Sequence, residues 1–97
     1  MMNLNLTGSK HLYTQEKSIL SLYYYLTHEV SDQIPVYGIQ IVSCRNHDFK
    51  HIHAETIPHI SYSREFVVQL IQHCMNHHVT PTDLFSSVDI LMDTMTE

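Results

Sequence analysis

The sequence predicts an α+β fold: a three-stranded antiparallel meander with two C-terminal helices packed on one face, in the order β-β-β-α-α. Three observations predict it. Apolar and polar residues alternate with period two in three runs between Ser18 and Ile57. Short turn-forming segments separate the runs, as consecutive antiparallel strands require. Beyond Ser63 the apolar spacing changes to three and four, the period of an amphipathic helix.

Each element has its own justification. Residues 1–17 show no period and carry Asn3, Gly8 and Ser9, so they read as a flexible N-terminal arm, with an extended piece near His11 to Tyr13. A single α+β domain over 18–97 follows. From Ser18 to Val30, Leu20, Leu22, Tyr24 and Leu26 share one strand face, while Tyr23, Tyr25 and Glu29 share the other. Ser31, Asp32, Gln33 and Pro35 make a turn. Val36 to Cys44 is the second strand, with Tyr37, Ile39 and Ile41 on one face and Gln40 and Val42 on the other. Gly38 within it marks a bulge or close packing under an aromatic ring. Arg45 to Asp48 turns the chain into a third strand, Phe49 to Ile57, which Pro58 ends.

In the first helix, Phe66, Val67, Leu70, Ile71, Cys74 and Met75 form one apolar stripe, with Ser61 or Ser63 as its N-cap. Thr80-Pro81-Thr82-Asp83 is a helix start: a capping hydroxyl, a proline at the first position and an acid able to reach back. Leu84, Val88, Leu91, Met92 and Met95 make the second stripe, with Asp89 and Asp93 off it.

Composition narrows the function. The chain has 97 residues, 43% of them hydrophobic and 15% charged, which favours a small folded domain over a disordered tail. Net charge is −5 with histidine neutral, and the five Lys and Arg are scattered. Duplex binding needs a basic stripe to neutralise phosphate, so nucleic acid is not an expected partner. The helix pair has the outline of a helix-turn-helix, but its second helix carries Asp83, Asp89 and Asp93 and no Lys or Arg. The polar N-terminus lacks the apolar core of a signal peptide, and no run is long enough to span a membrane. Cys44 and Cys74 form no CxxC pair and read as reduced thiols of a cytoplasmic protein.

No nucleophile-elbow, P-loop or dinucleotide motif is present, and two glycines are too few for a phosphate-cradling loop. A catalytic cysteine needs an exposed, electropositive pocket. Cys74 lies on an apolar stripe, while Cys44 ends a strand next to Arg45 and is the more exposed candidate, and neither is expected to be catalytic. The chain therefore reads as non-enzymatic.

Histidine is the unusual component, with nine copies. His51, His53 and Glu55 alternate along the third strand and could share one face, a donor set that zinc or a similar divalent metal accepts. His73 and His77 stand one helical turn apart and could chelate in the same way. Each set also has a plainer role. The strand set is what a solvated face looks like, and a histidine at a helix C-terminus complements the dipole. The phase of the third strand puts His51 and His53 opposite the helices, away from His73 and His77. The other candidate surface is that same outer face, where Tyr23, Tyr25 and Val42 would be left uncovered as a protein interface.

The ordered series Tyr37-Gly38-Ile39, Ile60-Ser61, a helix of the Phe66-to-Met75 type and Thr80-Pro81 leading to Asp83-Leu84 resembles a family of short uncharacterised Firmicutes proteins, number 6514 in the series of domains of unknown function. The likeness covers about three-quarters of the chain. It implies a small α+β domain, no assigned activity and no catalytic residues. The chain departs from that pattern at Ser86-Ser87, where acids are common, and in its many histidines.

The functional expectation is a cytoplasmic, non-enzymatic domain that binds another protein or a second copy of itself. A histidine site for a divalent metal is the alternative.

Overall fold

Alternation from Leu20 to Leu26 should place every second side chain on one side of a strand, and Leu22, Tyr24 and Leu26 are indeed buried. The computed structural model describes residues 2–95. Met1 of the predicted arm, and Thr96 and Glu97 of the predicted domain, lie outside the described residues. The elements are β1 (Asn3–Tyr13), β2 (Ile19–Ser31), β3 (Ile34–Arg45), β4 (Ile52–Ser61), α1 (Arg64–Asn76), a 3-10 turn (Pro81–Asp83) and α2 (Leu84–Met95).

The sheet therefore has four antiparallel strands, in the order β1-β2-β3-β4, and not the three expected. The additional strand, β1, comes from the residues read as an arm. Its pairing with β2 runs from Asn3 opposite His28 to Tyr13 opposite Ile19, with a bulge between Leu6 and Gly8. β1 escapes a periodicity search for two reasons. Its helix-facing positions past the bulge are Gly8, Lys10 and Leu12, of which only one is apolar. The bulge also reverses the phase, so Leu4 and Leu6 point the other way.

Turn chemistry follows the sequence. Asp32 and Gln33 both have positive φ, 52° and 66°, as a two-residue turn of the I′ kind requires. Asn46 and His47, at 54° and 57°, turn the chain out of β3. That turn is longer than expected. The Asp48 carboxylate accepts from the Lys50 amide at 3.1 Å and meets His51 Nδ1 at 2.8 Å, so β4 begins only at Ile52.

β4 also corrects the expected phase. Ser43 faces His53, Ile41 faces Glu55 and Ile39 faces Ile57, which puts His53 and Glu55 on the helix-covered side of the sheet. Pro58 does not end the strand. Residues 58–60 stand opposite Gly38 alone, in a wide irregularity that lets the ladder resume at Ser61 and Tyr37. The close approach at Gly38 is to backbone and not to an aromatic ring. A Cβ there would overlap the Ile57 carbonyl and lie 2.6 Å from the Pro58 carbonyl carbon.

Both helices cover one face. Val67, Leu70, Ile71 and Cys74 from α1, with Leu84 and Val88 from α2, close over Leu22, Tyr24, Leu26, Ile39 and Ile41. Ser63 caps α1, its Oγ accepting from the Phe66 amide at 3.2 Å. Thr80 caps no amide. Its hydroxyl donates to Asp83 Oδ2 at 3.3 Å, and Pro81 opens a 3-10 turn before α2. The Tyr24 hydroxyl donates to the Val79 carbonyl at 2.8 Å and ties the sheet to the link between the helices. The molecule is thin, 46 × 31 × 18 Å, consistent with one sheet and one helix layer. Among the described residues no helix is long and apolar enough to cross a membrane.

Candidate functional site

The register defines what the helices leave bare. Opposite the core, Ser9, Tyr23, Val42 and Ala54 form one cross-strand row. His11, Ser21, Cys44 and Ile52 form the next, and Leu6, Tyr25, Gln40 and Thr56 the row on the other side. An antiparallel sheet with one solvated face ordinarily puts polar side chains there. Here the centre is apolar. Tyr23, Tyr25, Val42, Cys44, Phe49 and Ile52 line a shallow depression of about 380 Å³. Phe49 is 66% exposed and Ile52 54%, and Leu4 and Leu6 add further apolar surface on the β1 side.

Several polar groups on this face are hydrogen-bonded to one another, while the buried Thr27 hydroxyl, on the same face, has no hydrogen-bond partner. His11 Nδ1 and Ser21 Oγ are 2.8 Å apart. The Gln40 amide donates to Thr56 Oγ1 at 2.9 Å. At the far end His59 Nε2 meets Glu29 Oε1 at 2.7 Å. Polar groups satisfied in this way can be covered without losing a partner. An aromatic edge runs beside the depression: His11 stands 6.1 Å from Tyr23 edge-on and 6.2 Å from His47, which is 6.5 Å from Phe49.

The structure thus brings together the three interface residues expected from sequence, Tyr23, Tyr25 and Val42, on one face and around one depression. Sequence reasoning missed Cys44, Phe49 and Ile52 as its other walls. The signal was there in part: Ile52 and Ala54 are the apolar members of β4 and lie on the outer face, while His53 and Glu55 lie inward.

The expected metal ligands separate. His51 is in the turn, bound to Asp48. On β4, His53 Nε2 lies 3.9 Å from Glu55 Oε1, on the helix side. His73 is in the last turn of α1 and His77 is its C-cap, both exposed. Among the described residues no three His, Cys, Asp or Glu side chains gather where they could hold a metal ion.

Cys44 and Cys74 are both free and buried. Burial pushes the Cys74 thiol up from 9.0 to about 11, so it stays protonated and non-nucleophilic at neutral pH. The Tyr24 phenol is raised as well, first by burial and then by the neighbouring Cys74.

No curated protein and no solved structure matches the chain. The model of the family of unknown function DUF6514 matches residues 3–97, from the start of β1 onward, and the chain belongs to that family.

Proposed function

We propose that this is a non-enzymatic docking domain of a bacterial cytoplasm, and that its outer sheet face is the surface a protein partner covers. One observation carries the reading: Tyr23, Tyr25, Val42, Phe49 and Ile52 stand together on a bare face around a depression with no charged wall. Large aromatic and aliphatic side chains on a flat, partly dry face have the composition of an interface centre. Two polar pairs beside the depression support it, because His11 with Ser21 and Gln40 with Thr56 are already bonded and lose no partner when covered. Two free cysteines fit a reducing compartment.

A photo-crosslinking side chain at Val42 tests the reading in cell extract, with the same group at Asp89 on the exposed side of α2 as control. The expected result is a discrete adduct from position 42, absent from position 89 and lost when Tyr23→Ala and Tyr25→Ala are combined. Equal labelling from both positions, or an adduct indifferent to the two tyrosines, overturns it.

A further inference from the structure

We infer that the occupant of the outer face is a second copy of this chain, packed sheet against sheet as an isologous dimer. The inference rests on the docking reading and adds the partner's identity.

Area is the first argument. Four strands spaced about 4.8 Å apart, each roughly eleven residues long at about 3.4 Å per residue, give a face near 700 Å². A stable interface of ordinary size covers about 800 Å² per partner. The whole outer face is therefore needed, and a broad flat sheet supplies it more readily than a short peptide. Two such faces pack with mean strand directions within about 30° and a separation near 10 Å.

Charge is the second. The chain carries −5, which opposes association of like copies. Much of that charge lies off this face, with Glu29 at one end of it and Asp48 in the turn beside Phe49 as the acidic groups nearest the contact. Glu65, Asp83, Asp89 and Asp93 belong to the helical segment, on the side of the sheet away from the proposed contact. Glu29, at one end of the outer face, accepts a hydrogen bond from His59 at 2.7 Å, away from the central depression. Sheet-to-sheet packing keeps the two helix layers apart by two sheets and the gap between them, further than the ~8 Å over which exposed charges act at physiological salt. A strongly charged partner would find no complementary charge at the depression, whereas its apolar lining suits the same lining on a second copy.

Core size is the third. A chain of this length buries only about 60–65% of its unfolded surface, so a second apolar layer adds burial that the monomer lacks.

Sedimentation equilibrium of the full-length untagged chain across the micromolar range is the test. The wild type should sediment at twice the chain mass. Val42→Lys and Ile52→Lys, which put a charge into the proposed contact, should each reduce it to the single-chain mass with the far-UV circular dichroism retained. Ile90→Lys, at a position 69% exposed on α2, should remain dimeric. Ile52 is an exposed edge-strand residue, so its variant stays informative where Val42→Lys fails to fold. A wild type that is monomeric throughout, or a dimer that both lysine variants leave intact, overturns the inference. A monomer that still gives the position-42 adduct in extract, at a mass other than two chains, removes the dimer and keeps the docking face. Loss of both removes the two together.

Discussion

Ile41 and Val42 are neighbours in β3 and lead opposite lives. Ile41 is fully buried, clamped between the sheet and the helices. Val42 points the other way, half-exposed, toward the depression edged by Tyr23 and Phe49. The same contrast holds between Tyr24, whose hydroxyl bonds the Val79 carbonyl inside the protein, and Tyr23 and Tyr25 on either side of it. Two apolar faces on one sheet are more than this monomer can cover with two helices. The inner face holds the fold together. The outer face has the same kind of side chains and no helix over it, although Ser21, Thr27, Val36 and Cys44 on it are buried by their neighbours.

The largest expected effect separates the two faces directly. Ile41→Ala removes a close-packed side chain and should cost about 3–4 kcal/mol. Val42→Ala should cost under about 1 kcal/mol, because its site is half-open and can relax. Urea unfolding at dilute protein concentration measures both, and equal losses would erase the distinction.

Glycine sharpens the same comparison. Gly38→Ala drives a methyl group into the Ile57 carbonyl and Pro58 backbone, which cannot yield without reshaping the β4 irregularity. A loss of about 2–3 kcal/mol is expected, in the range of other overpacking changes. Gly8→Ala meets only the sulfur and terminal methyl of Met75, the end of a flexible side chain, and should cost well under that. Thermal melts of the two variants decide the order, and a Gly8→Ala as damaging as Gly38→Ala would show that α1 holds β1 rigidly.

Alkali should act on the inner face. The folded state keeps the Cys74 proton up to about pH 11, while the unfolded thiol releases it near 9.0. A raised value means that stability is complete below the unfolded value and is lost as pH climbs to the folded one. Tyr24 is shifted in the same direction and adds to the loss. The melting temperature should therefore be level from neutrality to about pH 8.5 and fall above it, with Cys74 accounting for about 3 kcal/mol once the pH passes its folded value. Cys74→Ala should be less stable at neutral pH but flatter through that window. A slope unchanged by Cys74→Ala would place the titrating group elsewhere.

How much of this was legible depends on how strongly each segment patterns itself. In the middle of β2 and β3 the inward side chains, Leu20 to Leu26 and Tyr37 to Ile41, are large and apolar at every second position, so faces could be assigned from sequence, with Tyr23, Tyr25 and Val42 as the outer set. The stripes of α1 and α2 were legible for the same reason at a helical period. β1 offered no such contrast, since Gly8 and Lys10 occupy its inward positions and a bulge reverses Leu4 and Leu6. β4 misled because Ile52 and Ala54 look like core residues and its histidines like a solvated face. As an edge strand, it turns its polar residues inward at the margin of the helix cover and its isoleucine outward.

The amino-acid sequence by itself determined the α+β class, the two helical stripes, the central strand pair and the choice of Tyr23, Tyr25 and Val42, because local periodicity carries that information. Only the tertiary structure decided that residues 3–13 complete the sheet, that His53 and Glu55 face the helices, and that Phe49 and Ile52 join the tyrosines. Those facts depend on register between segments far apart in the chain. A shift of one residue there exchanges the two faces of a strand, and no local pattern in an edge strand is strong enough to forbid it.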